Sequence, residues 1–239
     1  MRNAGRINAE VLATVKALLK PGVSTAELNA AAEDVLRKHK CISPFKGYGH
    51  PPFPTSITTS INRELVHGIP NRNRKLKNGD IVSIDCGTVL DGLVADSAFT
   101  AGVGDISAEA QDLLNVTEEA LYAAIASMRV GNRTGDISAA IQNHVESRGY
   151  YVTREYTGHG VGRQMHEGPQ VPNYGKPGTG LALKAGMTIA IEPMVLMGTE
   201  ETRVLPDQWT VVSADGSLTA HFEHSVAVTE GEPLILTVL

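Results

Sequence analysis

The 239-residue chain is 42% apolar and 20% charged with a formal net charge of −5, the balance of a globule with a core to bury, which excludes intrinsic disorder. No apolar run approaches the roughly 18 residues of a membrane span, and Met1–Arg6 opens an amphipathic stretch instead of a secretion signal, so a cytoplasmic protein without membrane partners is expected. Basic residues cluster only at Arg72, Arg74, Lys75 and Lys77, a short run beside Pro70 and Asn78-Gly79 that reads as a solvated turn and argues against a specific nucleic-acid partner.

Apolar positions at Ile7, Val11, Val15 and Leu18 predict a helix over residues 3–19, stopped by Pro21-Gly22. Ser24 and Glu27 form a capping box for a second helix with Leu28, Ala31, Ala32, Val35 and Leu36 as its buried stripe. The β-branched, alternating stretch 56–62 reads as a strand, closed by a turn at His67-Gly-Ile-Pro70. Residues 81–90 and 93–101 flank Asp91-Gly92, a hairpin signal. Ser107 can cap a helix running toward Met128, and Gly131-Asn132 separates it from another that begins near Thr134. Residues 209–213 and 218–229 flank Asp215-Gly216 and predict a second hairpin. Cys41 and Cys86 stand alone, so free, half-buried thiols are expected and no disulfide framework.

The order of elements repeats, and so do residues within it. Leu76 to Asp85 (LKNGDIVSID) is echoed by Leu183 to Glu192 (LKAGMTIAIE). Gly22, Thr25, Glu27, Leu28, Ala30 and Ala31 are answered by Gly131, Thr134, Asp136, Ile137, Ala139 and Ala140. Helices followed by antiparallel hairpins, twice over, give an α+β fold with helices packed on one face of a curved sheet. No linker separates the copies, so a single catalytic domain over residues 1–239 is expected, with pseudo-symmetric halves of about 1–105 and 106–239.

Four acids lie in apolar strand text: Asp85 in SIDCG, Asp96 in LVADSAF, Glu192 in AIEPM and Glu223 in HFEHSV. Taken singly, each is as readily an outward-pointing strand-end carboxylate. Four at matched positions, with no equal set of Arg or Lys in the same segments, make cations the natural neutraliser, because converging carboxylates otherwise repel. His159, in TGHGVG, sits between glycines that permit close backbone approach and special dihedrals, and beside such acids it becomes the candidate nitrogen ligand. His221 and His224 flank Glu223 and could orient it, whereas His39 and His144 fall in helices as boundary residues and His50 in a Pro-rich loop.

The order Asp85, Asp96, His159, Glu192, Glu223, with VHGIP at His67, GHGVGRQMHEGPQVPNY around His159 and His166, IEPM at Glu192 and FEHS at Glu223, resembles the type I methionine aminopeptidases. The resemblance covers nearly the whole chain. It implies the pita-bread fold and a metal-dependent enzyme that removes the initiator methionine from nascent polypeptides when the second residue is small. It further implies two divalent ions, with Asp85 chelating one, His159 and Glu192 the other, and Asp96 and Glu223 bridging. Their identity stays open among Mn(II), Fe(II), Co(II) and Zn(II).

By the same resemblance Glu192 is also the general base, and His67 and His166 hydrogen-bond the substrate. Phe53, Thr58, His67, Met165 and Trp209 would line the methionine pocket. Thr58 stands where many members have Cys, Met165 where an aromatic is frequent, and the loop 47–53 holds an extra residue. A monomer that meets nascent chains near the ribosome is implied. The rivals are a peptidase of the aminopeptidase P or prolidase kind, whose members usually carry a large amino-terminal domain, and a non-enzymatic pita-bread binding protein.

Overall fold

In the computed structural model, which describes residues 1–239, two helices precede a group of strands and the order then repeats. Helix α1 (Arg2–Ala17) buries Val11, Leu12 and Val15. Helix α2 (Thr25–Lys38) begins at the expected capping box: Ser24 Oγ accepts from the Glu27 amide at 3.3 Å, and Glu27 Oε2 accepts from the Ser24 amide at 2.8 Å. Each bond satisfies an amide that the open first turn leaves free. Strands β1 (Ile57–Ile61), β2 (Glu64–Val66), β3 (Ile81–Leu90) and β4 (Leu93–Gly102) complete the first half. The β3–β4 hairpin turns on Asp91 (φ 51°) and Gly92 (φ 74°), both in the left-handed region that a tight two-residue turn requires.

In the second half Ser107 Oγ accepts from the Ala110 amide at 3.1 Å and caps α3 (Ala108–Ala126). Asp136 accepts from the Arg133 amide at 2.7 Å at the start of α4 (Thr134–Glu146), repeating the part Glu27 plays in the first half. The strands that follow are β5 (Tyr151–Val152), β6 (Thr157–Gly160), β7 (Glu167–Pro172), β8 (Thr188–Ile191), β9 (Met194–Leu196), β10 (Thr202–Val204), β11 (Val211–Ser213), β12 (Thr219–His221), β13 (Glu223–Ala227) and β14 (Leu234–Ile235).

The main sheet is antiparallel and runs β1-β3-β4-β13-β8-β6-β7, with β14 added beside β13. Its first six strands are symmetric about the β4–β13 junction: β4 corresponds to β13, β3 to β8 and β1 to β6. The duplicated sequence therefore builds a sheet with a pseudo-twofold axis at its centre. The apolar core draws on both halves, from Val11, Leu28 and Ile84 to Ile137, Ile189 and Val226.

Alternation along the strands separates two faces. Cys86 and Ser97 face α1, where the buried Asn8 amide group donates to the carbonyls of Cys86 and Ala95 and accepts from the Ser97 hydroxyl. Asp85 and Asp96, one residue away from these anchors, face the opposite side. Asn8→Ala should therefore cost about 1–3 kcal/mol, because it strands buried polar groups, and lower the thermal midpoint by several degrees. A calorimetric midpoint equal to that of the parent would show that the clamp contributes nothing.

Three expectations need correction. His67-Gly-Ile-Pro70 does not close the strand at 56–62: the chain reverses earlier, at Asn62 (φ 57°), where Glu64 Oε2 accepts from the Ile61 amide at 2.9 Å, and β2 intervenes. Asp215-Gly216 makes a turn but no hairpin, because β11 pairs with β10 and β2 while β12 pairs with β9. The stretch 218–229 is divided at Phe222 into β12 and β13, and the true counterpart of the β3–β4 hairpin is the β8–β13 pair. Finally, Cys41 and Cys86 are both free and buried, Cys86 completely, and packed in the main core instead of half-exposed.

Candidate active site

The five candidate ligands sit on two neighbouring rungs of the sheet. On one rung Asp85 of β3 is opposite Ala98 of β4, which is opposite Glu223 of β13, and Glu192 follows the last residue of β8. On the next, Ser225 Oγ of β13 bonds both the amide and the carbonyl of Asp96 at 2.9 and 2.8 Å. Ser225 is in turn opposite Ala190 of β8, which is opposite His159 of β6. Residues two apart on one strand share a face, so all five side chains converge across the pseudo-twofold axis. Thr58 of β1 lies opposite Asp85 and joins the first rung.

Ligand atoms of Asp96, His159 and Glu223 all lie within 4.8 Å of one another. His159 Nε2 is 3.8 Å from Asp96 Oδ2 and 3.4 Å from Glu192 Oε1. Its Nδ1 donates to the Gly160 carbonyl at 2.9 Å, which leaves the Nε2 lone pair turned toward the acids. The glycines around His159 serve close approach alone. A Cβ on Gly158 would lie 2.6 Å from the Ala190 carbonyl oxygen, and one on Gly160 2.2 Å from that of Gly168. Neither glycine has a positive φ, so the special dihedrals expected there are not used, and His159 lies in a strand.

These groups fit divalent cations. Asp85 Oδ1, Asp96 Oδ1 and Glu223 Oε1 are buried with no hydrogen-bond partner, a costly state for carboxylates unless a cation satisfies them. Burial pushes the Asp85 carboxyl up to about 7. Burial, and then the neighbouring carboxylates, hold Asp96, Glu192 and Glu223 well above the usual carboxylate range. Burial likewise lowers His159 to about 4, so its imidazole is neutral and available as a ligand. No Lys or Arg lies among them.

The acids and His159 line one end of a cavity of about 170 Å³, whose other walls are Phe53, Thr58, Val66, His67, Tyr156, Met165, Met194 and Trp209, with His166 and Tyr48 at its rim. All the sequence-predicted pocket residues therefore meet in one place. Phe53 and Trp209 pack edge to face with centroids 5.2 Å apart. Trp209 is aimed by Asp207, whose Oδ1 accepts from its amide at 3.0 Å. His67 has φ 61°, a strained conformation for a residue with a side chain, held because the backbone of Gly68 packs on β1: the Thr59 amide donates to the Gly68 carbonyl at 2.7 Å.

Of the remaining histidines, only His221 reaches the site. It is buried, its Nε2 has no hydrogen-bond partner, and it lies 3.7 Å from Glu192 Oε2 and 3.9 Å from Glu223 Oε2. His224 alternates to the other face and bonds Thr237 Oγ1 at 2.8 Å, while His50 is exposed outside the cavity. Phe45, Val66, Tyr156 and Met194 line the cavity without having been singled out from sequence. Val66 and Met194 stand within VHGIP and IEPM, where the histidine and the acid draw the attention, while no motif covers Phe45 or Tyr156.

The sequence model of metallopeptidase family M24 matches residues 1–230. The chain belongs to that family. Within it, the chain is 51% identical over 237 residues to a methionine aminopeptidase of Clostridium acetobutylicum, covering 99% of this chain and 94% of that protein. It is equally 51% identical over 237 residues to methionine aminopeptidase 1 of Bacillus subtilis, with the same coverage. The crystal structure of a methionine aminopeptidase from Thermotoga maritima superposes with a TM-score of 0.98 at 44% identity, covering 100% of this chain and 95% of that one.

A prolidase from Pyrococcus horikoshii shares the fold, with a TM-score of 0.76 at 21% identity, and this chain spans 60% of its length. The pita-bread architecture expected from sequence is thus the observed one. As an M24 metallopeptidase, the chain has in Asp96, His159 and Glu223 a cluster with which to hold a divalent metal.

Proposed function

We propose that this M24 enzyme removes the amino-terminal methionine from newly made polypeptides whose second residue is small, working as a monomeric, single-domain cytoplasmic enzyme on chains as they leave the ribosome. The observation that carries this reading is that a carboxylate-rich centre opens directly onto apolar walls of sulfur and aromatic groups within one cavity. Asp85, Asp96, His159, Glu192 and Glu223 would together hold divalent cations, with Mn(II), Fe(II), Co(II) and Zn(II) all suited to the donor set. When bound, such cations supply Lewis-acid polarisation of the scissile carbonyl and acidify a water at neutral pH.

The chain's own groups do the rest. Phe53, Thr58, Val66, Met194 and Trp209 exclude water and bury the methionine side chain, worth roughly 1.5–3 kcal/mol. Glu192 takes the proton of the attacking water and returns it to the departing amine. His67, lowered to about 4 by burial and then by His166, is neutral and can donate to the peptide. His166, at the rim, donates to the oxygen that gains charge as the carbonyl becomes tetrahedral, a bond stronger in the transition state than in the substrate.

The metal-stripped protein reloaded with each cation in turn should cleave Met-Ala-Ser best and Leu-Ala-Ser about 10–200-fold less well, the range a one-group mismatch in an apolar pocket produces. Met-Arg peptides should be poor substrates. Faster cleavage of Ala-Pro-Ala would move the enzyme to the aminopeptidase P class. No cleavage of any peptide with any cation would leave a binding protein.

A further inference from the structure

The Tyr48 hydroxyl lies 2.8 Å from His166 Nδ1, and their rings are tilted at 55° with centroids 5.4 Å apart. We infer that Tyr48 is a positioning residue whose hydroxyl fixes His166 in the tautomer that carries its proton on Nε2. The inference rests on the proposed role of His166 as a donor to the substrate.

A neutral imidazole has one donor nitrogen and one acceptor nitrogen, and the partner of one decides the state of the other. A phenol is the more acidic partner and an imine nitrogen the more basic, while the phenol oxygen is a weak acceptor because its lone pair is delocalised into the ring. Tyr48 therefore donates and Nδ1 accepts. The proton of His166 is left on Nε2, across the ring from Tyr48. Without the phenol, both tautomers of a rim histidine are open, and the one protonated at Nδ1 offers the substrate a lone pair where a donor is needed.

The loop that carries Tyr48 is built independently of this bond. The Gly47 amide donates to the Phe53 carbonyl, the Phe53 amide to the Tyr48 carbonyl and the Tyr48 amide to the Phe45 carbonyl, at 2.8, 2.8 and 2.9 Å. Ser43 Oγ, which accepts from the Phe45 amide at 3.1 Å, ties the base of the loop to the Ser56 carbonyl at 2.7 Å. At its tip Trp209 Nε1 donates to the Pro51 carbonyl at 3.0 Å. Gly49 lies under the indole, where a Cβ would come within 2.6 Å of the Trp209 ring. The phenol is thus delivered to His166 by a loop fastened at its base and tip. On the other side, Glu167 Oε1 accepts from the Arg163 and Gln164 amides at 2.6 and 2.8 Å and fixes the segment that presents His166.

The test compares Tyr48→Phe, which keeps the ring, with His166→Ala. Both should retain the parent's metal content and thermal midpoint, because Tyr48 is 45% exposed and neither residue is among the proposed ligands. For Tyr48→Phe we expect kcat to fall about tenfold, the loss tied to one neutral hydrogen bond, with KM little changed. Nitrogen-15 spectra of the metal-free and Zn(II)-loaded proteins near pH 8, with His166 assigned by its absence from His166→Ala, should show a pyridine-like Nδ1 and a pyrrole-like Nε2. In Tyr48→Phe the two shifts should move toward a mixture of tautomers. A His166 protonated at Nδ1 in the parent, or an unchanged tautomer and kcat in Tyr48→Phe while His166→Ala is slow, overturns the inference. A His166→Ala enzyme as fast as the parent at saturating peptide would instead remove the donor role on which it rests.

Discussion

Glu192→Gln should lower kcat by about 10²–10⁴-fold, the range for loss of a general acid–base group, while leaving the fold intact. The substitution preserves volume, and Glu192 immediately follows β8, where the main chain of Ile191 is fixed opposite His224. What changes is charge. A carboxamide cannot accept the proton of an attacking water, and it weakens the hold on a cation beside His159 Nε2, 3.4 Å from the native Oε1. Metal content measured alongside turnover separates the two losses, because a variant that keeps its metals and still fails has lost the base. Parent-like turnover at saturating Met-Ala-Ser would exclude Glu192 from proton transfer.

Stripping the metals should destabilise the protein, and more so at alkaline than at acid pH. The Asp85 carboxyl stands at about 7 in the folded chain against an ordinary value of 3.8, because burial disfavours its charge; Asp96, Glu192 and Glu223 are raised in the same direction. Between the unfolded and folded values the native state holds more protons than the unfolded one. Stability of the metal-free form therefore falls as pH rises through that window and stays low above it. Cations take the place of the protons. At a free metal concentration 100 times the dissociation constant the gain is about 2.7 kcal/mol, or some 5–11 °C in a chain of this size. Calorimetry of stripped and Mn(II)-reloaded protein near pH 5.5 and 8 should show the larger increment at pH 8. An increment that shrinks with rising pH would mean that cations do not displace protons from these acids.

Much of this architecture is written locally. Ser24 with Glu27, Ser107 and Asp91-Gly92 each act through bonds made within a few residues, so composition and order suffice to place two helix starts and a hairpin. The duplicated text foretold more, since Asp85 and Glu192 answer one another across a sheet that is symmetric about β4 and β13, although Asp85 lies in the middle of β3 and only Glu192 at a strand end. What failed was pairing at a distance. Asp215-Gly216 has the chemistry of a hairpin turn, yet the partners of its flanking strands, β2 and β9, lie elsewhere in the chain and no local rule names them. Val66 at the end of β2 and Met194 at the start of β9 reach the cavity through those same distant pairings, and Tyr156 from the loop before β6, which is why periodicity could not mark them. The turn assigned to His67-Gly-Ile-Pro70 failed for a related reason: Glu64 turns the chain first, with a side-chain acceptor that propensity alone does not register.

The two halves differ most in one connection. Between β3 and β4 the chain needs two residues, whereas between their counterparts β8 and β13 it makes a long excursion through β9–β12. That excursion bears Met194, Trp209 and His221, and β11 within it pairs with the β2 strand that ends at Val66, beside His67. Asp85, Asp96 and Glu223 meanwhile stay on the sheet itself, with Glu192 at the first step of the excursion. Charge and shape are thus partly separated along the chain: the frame that both halves share holds most of the charges, and the excursion that only the second half makes adds Met194, Trp209 and His221 to a cavity that Phe53, Thr58, His67 and Met165 also line. Substitutions within the excursion could therefore reshape one wall of the cavity while the strands that hold Asp85, Asp96 and Glu223 stay as they are.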